Sequence, residues 1–128
     1  MATVPVTDKT FDEVTSKGIV LLDWWASWCG PCRTFGPIFE AASVRHPEVV
    51  FGSIDPEAEP RLAQAFGIRS IPTLMVFRDG LLLLAEPGVV PGAALDTLIA
   101  EVANLDMVAV RRDIAARARG TARRHTNP

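Results

Sequence analysis

Cysteine and histidine are scarce in this chain: 128 residues hold two cysteines, Cys29 and Cys32, and two histidines, His46 and His125. A zinc site takes four ligands, usually two Cys-x-x-Cys pairs or one pair with histidines. There is no second pair, and His46 stands before Pro47 while His125 lies in the C-terminal tail. No metal is therefore expected on the cysteines. A basic segment followed by an apolar one is also missing from the start, Met-Ala-Thr-Val-Pro-Val-Thr-Asp-Lys-Thr, so no secretory signal is read. Long hydrophobic runs are absent too. Ile19–Leu22 and Leu81–Ala85 fall far short of the ~20 apolar residues that a membrane helix needs. A cytoplasmic protein is expected. In that compartment thiols are kept reduced, and a Cys-x-x-Cys pair is more often catalytic than structural. Internal repeats and low-complexity linkers are not seen.

Positive charge is sparse in the body and concentrated at the end. Residues 1–110 carry seven basic and fourteen acidic side chains, a net −7, whereas residues 111–128 carry six arginines against Asp113. An acidic body is unsuited to tracking a phosphate backbone, so nucleic acid is not an expected partner. The length suits one domain with a substantial core. The expected division is a domain over 1–110 and a basic, arginine-rich extension over 111–128, helical or disordered.

What the chain does have is Trp28-Cys29-Gly30-Pro31-Cys32. Two thiols at this spacing can close a small disulfide ring, hold a metal or lie idle in the core. Idle cysteines behave as small apolar residues scattered along strands and helix faces. These flank Gly-Pro between two different elements. Ile19–Trp25 is a β-branched and aromatic run that reads as a buried strand. Beyond Pro31, Phe35, Ile38, Phe39 and Ala42 recur at helical spacing. Proline suits a first helical turn because its missing N–H has no partner there. Cys29 then lies at a helix N-terminus, where free backbone N–H groups and the macrodipole favour an anion. That makes Cys29 the stronger nucleophile. Cys32, one turn on, is placed to attack a mixed disulfide formed at Cys29.

The remaining pattern alternates. Thr10-Phe-Asp-Glu13 reads as a capping box opening a short helix before Gly18. Pro37 falls inside the helix of the cysteines, and Pro47 marks its end. Val49–Asp55 reads as a strand, Pro60–Phe66 as a helix stopped by Gly67, and Thr73–Phe77 as a strand. Asp79-Gly80 signals a hairpin returning through Leu81–Ala85. Pro87-Gly88 breaks the chain before a helix over about 93–104, and a short strand is read near Val4. Asp106 is placed to cap a helix from Met107 to about Arg119. An α/β fold follows, with a central mixed sheet of four to five strands flanked by helices on both faces.

Asp23 stands inside Val-Leu-Leu-Asp-Trp-Trp. Either it faces solvent at the strand's end, or it is buried, where a carboxyl tends to stay protonated. In the second case it is a proton acceptor for Cys32.

Asp23-Trp-Trp-Ala-Ser-Trp-Cys-Gly-Pro-Cys-Arg33, then Pro37, then Gly67-Ile-Arg-Ser-Ile-Pro-Thr73 resemble the thioredoxin family, in register from about Thr7 to Asn104. The resemblance implies the thioredoxin fold and a protein-disulfide reductase serving cell redox homeostasis by dithiol–disulfide exchange. Cys29 attacks, Cys32 resolves, and Asp23 is buried and takes the proton. Gly30 and Pro31 tune the redox balance toward a reductant. Ile71-Pro72 is a cis bond facing the cysteines, and Trp28, Ile71, Pro72 and Gly88 form the substrate surface. No bound cofactor is implied. Electrons come from NADPH through a thioredoxin reductase, the other partners being disulfide-containing client proteins, and the chain is a monomer. One departure stands out. Many relatives place a lysine near the buried carboxylate on the next strand, where this chain has Phe51.

Overall fold

The structure, a computed structural model, describes residues 2–126. Five strands form one mixed sheet in the order β1-β3-β2-β4-β5. They are β1 (Thr3–Pro5), β2 (Ile19–Trp24), β3 (Val50–Ile54), β4 (Thr73–Arg78) and β5 (Leu81–Pro87). β1 and β2 both run parallel to β3, while β4 is antiparallel to β2 and β5 to β4. The helices are α1 (Phe11–Thr15), α2 (Gly30–Arg45), α3 (Pro60–Ala65), α4 (Gly92–Ala103) and α5 (Met107–Thr126).

Strand alternation splits the interior into two cores. Leu21, Phe51, Leu74 and Val76 face Phe35 and Phe39 of α2 and Leu95 and Ile99 of α4. Val20, Leu22, Trp24, Met75 and Phe77 face the opposite way, toward Phe11 of α1 and Phe66 beyond α3. The sheet is thus apolar on both faces, which is why β2 and β4 read as unbroken apolar runs. Trp24 is fully buried, and its indole N–H donates to Met75 Sδ at 2.8 Å.

Gly52 is required by a close approach. A Cβ there would lie 2.7 Å from Val6 Cγ2 and 2.8 Å from Leu22 Cδ2. Asp79 (φ 51°) and Gly80 (φ 86°) make the hairpin turn between β4 and β5, the positive-φ pair that matches strand twist.

One local expectation differs from the structure. The capping box at Thr10 does not form. The Thr10 hydroxyl instead accepts the Thr7 backbone N–H at 3.0 Å, and no side chain caps α1. The arginine-rich segment begins inside α5. The cap expected at Asp106 is present: its Oδ1 accepts the N–H groups of Val108 and Ala109 at 3.1 and 3.2 Å. The last two residues of the arginine-rich segment, 127 and 128, lie outside the described residues.

Arg78 closes the far end of the fold. Its guanidinium donates to the carbonyls of Val102 (2.7 Å) and Leu105 (3.0 Å), tying β4 to the end of α4 and the turn that follows it.

Candidate active site

The chain leaves β2 at Trp24 and turns into α2 at Cys29, the helix N-cap, which has extended backbone (φ −85°, ψ 119°). The first N–H groups of a helix have no acceptor within it, and a side-chain oxygen ordinarily fills that role. Here a sulfur does: Cys29 Sγ accepts the Cys32 backbone N–H at 3.2 Å. Gly30 and Pro31 are the first two helical residues, so Pro31 sits where it lacks nothing. On its other side the Cys29 thiol donates to the Ile71 carbonyl at 3.7 Å. Both cysteines are free and buried, packed with Ala26 against half-buried Trp25 and Ile71.

The two sulfurs are in unequal settings. Cys29 is held between a backbone donor and a backbone acceptor. Burial pushes the Cys32 thiol from 9.0 up to about 11, and the neighbouring Cys29 side chain adds to the rise. Cys32 therefore needs a base before it can attack.

Asp23 is that candidate, and the solvent-facing alternative is overturned, since it is only 4% exposed. It pairs with Ser53 on β3 and Leu74 on β4, and alternation sets it on the α2 face of the sheet. Burial raises its carboxyl from 3.8 to about 7. Asp23 and Cys32 line one cleft of about 220 Å³, together with Thr3, Gly36, Glu40 and Ser53 among others. Among the described residues, no cation lines this cleft. Phe51 is buried instead against Phe39, with ring centroids 5.0 Å apart.

The remaining expected residues come from distant parts of the chain. The Ile71–Pro72 bond is cis. The Pro72 carbonyl accepts the Gly88 N–H at 2.9 Å, and Gly88 has φ +98°, which a side chain would resist. Cys29, Ile71, Pro72 and Gly88 are thus joined by two hydrogen bonds and a peptide bond. Trp28, next to Cys29, is 66% exposed, a large apolar ring left in solvent. Its indole N–H donates to Glu57 Oε1. Sequence reading did not single out Glu57, and the only local hint is the turn in which Asp55 Oδ1 accepts the Glu57 N–H at 2.9 Å. Thr3, Gly36 and Glu40 were likewise not marked as site residues, because only the packing of β1 on α2 brings them to Asp23.

Among the described residues, no three histidine, cysteine, aspartate or glutamate side chains are grouped to hold a metal ion. No helix of the described residues is long and apolar enough to cross a membrane.

Two free thiols three residues apart, opening a helix that packs on a mixed sheet, form the redox-active pair of a thiol–disulfide oxidoreductase. Comparison with known proteins narrows the class. The family model described as thioredoxin matches residues 2–104. A putative thioredoxin 2 of Streptomyces coelicolor is 50% identical over 115 residues, covering 89% of this chain and 86% of that protein. The thioredoxin of Bacillus subtilis is 38% identical over 100 residues, 77% of this chain and 96% of its own. Among solved structures, a mutant thioredoxin from Halobacterium salinarum superposes with a TM-score of 0.75 at 33% identity, over 80% of this chain and 92% of that one. The chain belongs to the thioredoxin family, with the fold expected of it and with dithiol–disulfide exchange as its chemistry.

Proposed function

We propose that this chain is a reductase of protein disulfides in which Cys29 attacks and Cys32 resolves. The observation that carries the assignment of roles is the Cys29 sulfur at the α2 N-cap, accepting the Cys32 N–H at 3.2 Å. A thiolate on Cys29 gains a charge-assisted hydrogen bond and the field of the helix terminus. It attacks one sulfur of a client disulfide, forming a mixed disulfide and releasing the client's other sulfur as a thiolate. Asp23, ionised, takes the Cys32 proton. The Cys32 thiolate then attacks Cys29 Sγ, closing the Cys29–Cys32 disulfide and expelling the client thiolate. Gly30 and Pro31 tune the balance between the two redox states.

Trp28, Ile71, Pro72 and Gly88 form the surface on which an extended client segment docks, main chain against main chain. Electrons return from NADPH through a thioredoxin reductase, and no cofactor is bound by the chain itself. The protein works as a cytoplasmic monomer, with residues 1–110 as the redox domain and 111–128 as a basic extension.

Replacing Cys32 by serine tests this. Mixed disulfides should then accumulate on Cys29, with many client proteins for a general reductant and one for a dedicated enzyme. A Cys32→Ser protein that captures no disulfide substrate, including a purified one supplied in excess, overturns the proposal.

A further inference from the structure

Strand β5 ends at Pro87, one residue before Gly88, so it leads directly to the surface proposed for clients. The same strand walls a groove that the chemistry at Cys29 does not use. Across the β4–β5 ladder Glu86 pairs with Leu74 and Leu84 with Val76, so these side chains share the face of the sheet that α4 covers. Leu95, Ile99 and Val102 of α4 point into the core. A neighbouring stripe of the same helix, Ala94, Leu98 and Glu101, lines the other wall.

Leu74 is the buried floor, and Leu84, Val90 and Leu98 are half-buried around it. The groove holds about 410 Å³, within the ~300–1,000 Å³ of pockets that take small ligands or side chains. Its two charged groups are the exposed carboxylates of Glu86 and Glu101, and no cation lines it among the described residues. Neither carboxylate has an ion-pair or hydrogen-bond partner among those residues. An apolar floor beneath two unpaired carboxylates suits an apolar side chain next to a basic one. The groove is also continuous with the surface at Cys29. Val90 stands two residues beyond Gly88, a backbone span of at most ~7 Å, and Val89 between them is 41% exposed.

We propose that this groove is a second client-binding site. From the client segment that runs past Gly88 it takes an apolar side chain onto the Leu74 floor and an adjacent lysine or arginine between Glu86 and Glu101. Cys29 recognises a disulfide, which carries no sequence, and docking of main chain on main chain adds little preference of its own. The groove supplies a side-chain preference. The net −7 of residues 1–110 draws basic segments in general, and the groove fixes where they bind. An acidic residue in the same place meets two like charges and is rejected.

This inference rests on the reading of the chain as a protein-disulfide reductase whose clients dock at Gly88, and one assay separates the two. The probes are disulfide-linked dimers of a short cysteine peptide, unextended or extended with Leu-Arg, Leu-Glu or Ser-Ser. The pair is placed about three to six residues from the cysteine, a reach of ~10–20 Å, on its N-terminal or its C-terminal side. Reduction by the reduced protein is stopped with acid at timed intervals and the free peptide thiol is measured. Each rate is divided by that of the unextended dimer, which corrects for any loss of folded protein. On one side of the cysteine, Leu-Arg should be reduced about two- to fivefold faster than Ser-Ser, the range of an exposed ion pair, and Leu-Glu no faster. The double variant Glu86→Gln, Glu101→Gln should lose that advantage, and Ala94→Phe, which fills the groove, should lose it too. Asp8→Asn with Asp12→Asn changes the net charge equally at α1, on the opposite face of the sheet, and should keep it. Equal rates for Leu-Arg and Leu-Glu, an advantage that survives in the glutamine variant, or one lost equally in the asparagine variant refutes the groove. The reductase reading then stands, since the unextended dimer is still reduced. If the unextended dimer is not reduced, that reading fails and the groove with it.

Discussion

Replacing Asp23 by asparagine should stabilise the protein by an amount that depends on pH in a specified direction. The carboxyl is 4% exposed and one of its oxygens has no partner, so the ionised form bears the cost of burial without compensation. Its folded-state value is raised from 3.8 to about 7. Between those two values the folded chain holds a proton that the unfolded chain has released. Stability of the parent therefore falls as pH rises through that window, the reverse of the usual salt-bridged aspartate. A rise of about three units at 1.36 kcal/mol each sets the loss at about 4 kcal/mol. Below about pH 3 both states are protonated and the loss vanishes; above pH 8 it is complete. Asparagine never ionises, so the variant escapes the loss. Its carboxamide adds an offset for its own unmet hydrogen bond, but that offset does not change with pH. The assay is urea unfolding of the reduced protein at half-unit steps from pH 4 to 8, followed by tryptophan fluorescence. All other titrating groups are common to both proteins and cancel in the difference. The stability of Asp23→Asn minus that of the parent should climb by about 4 kcal/mol across the range. A difference that stays flat, or that falls with pH, would refute the account of Asp23 as a buried, unpaired carboxyl.

Other expectations follow from single contacts. In the reduced protein, alkylation of Cys32 by iodoacetamide should rise with pH toward a midpoint of about 11, since burial and then Cys29 raise it; a midpoint below 9 contradicts that environment. Gly52→Ala should cost about 1–3 kcal/mol by overpacking against Val6 and Leu22, and denaturant midpoints no lower than the parent's would show that the β1 edge yields freely. Arg78→Ala should cost about 1–3 kcal/mol by removing the charged donor shared by the Val102 and Leu105 carbonyls, an effect that thermal unfolding reads directly. Asp106→Ala removes the α5 cap, and circular dichroism should show lost helicity with a cost of about 0.5–2 kcal/mol.

Some of this molecule is determined locally and was legible before any coordinates. Two cysteines separated by Gly-Pro between an apolar run and a helical pattern can hardly avoid placing the first sulfur at an N-cap, because the first turn of any helix offers its N–H groups there. The order of strands and helices, the Asp79-Gly80 hairpin and the Asp106 cap rest likewise on residues within a turn of one another. The Thr10 cap shows where such reasoning stops. The pattern was right for a capping box, but Thr7 offered its N–H to the Thr10 hydroxyl instead, and nothing in the motif arbitrates between two nearby donors.

What the sequence left open was every relation across the sheet. Burial of Asp23 needed α2 to lie over β2, and only that packing raised a carboxylate that could equally have faced water. The Ile71 carbonyl reaches Cys29 across 42 positions, and Ala2 reaches Glu40 across 38. The cleft that brings Thr3 and Gly36 beside Asp23 belongs to the same kind of fact. Local pattern can place a nucleophile at a helix end, because the donors there come with the backbone. Which base stands behind it depends on surfaces that exist only once the sheet has closed on the helix.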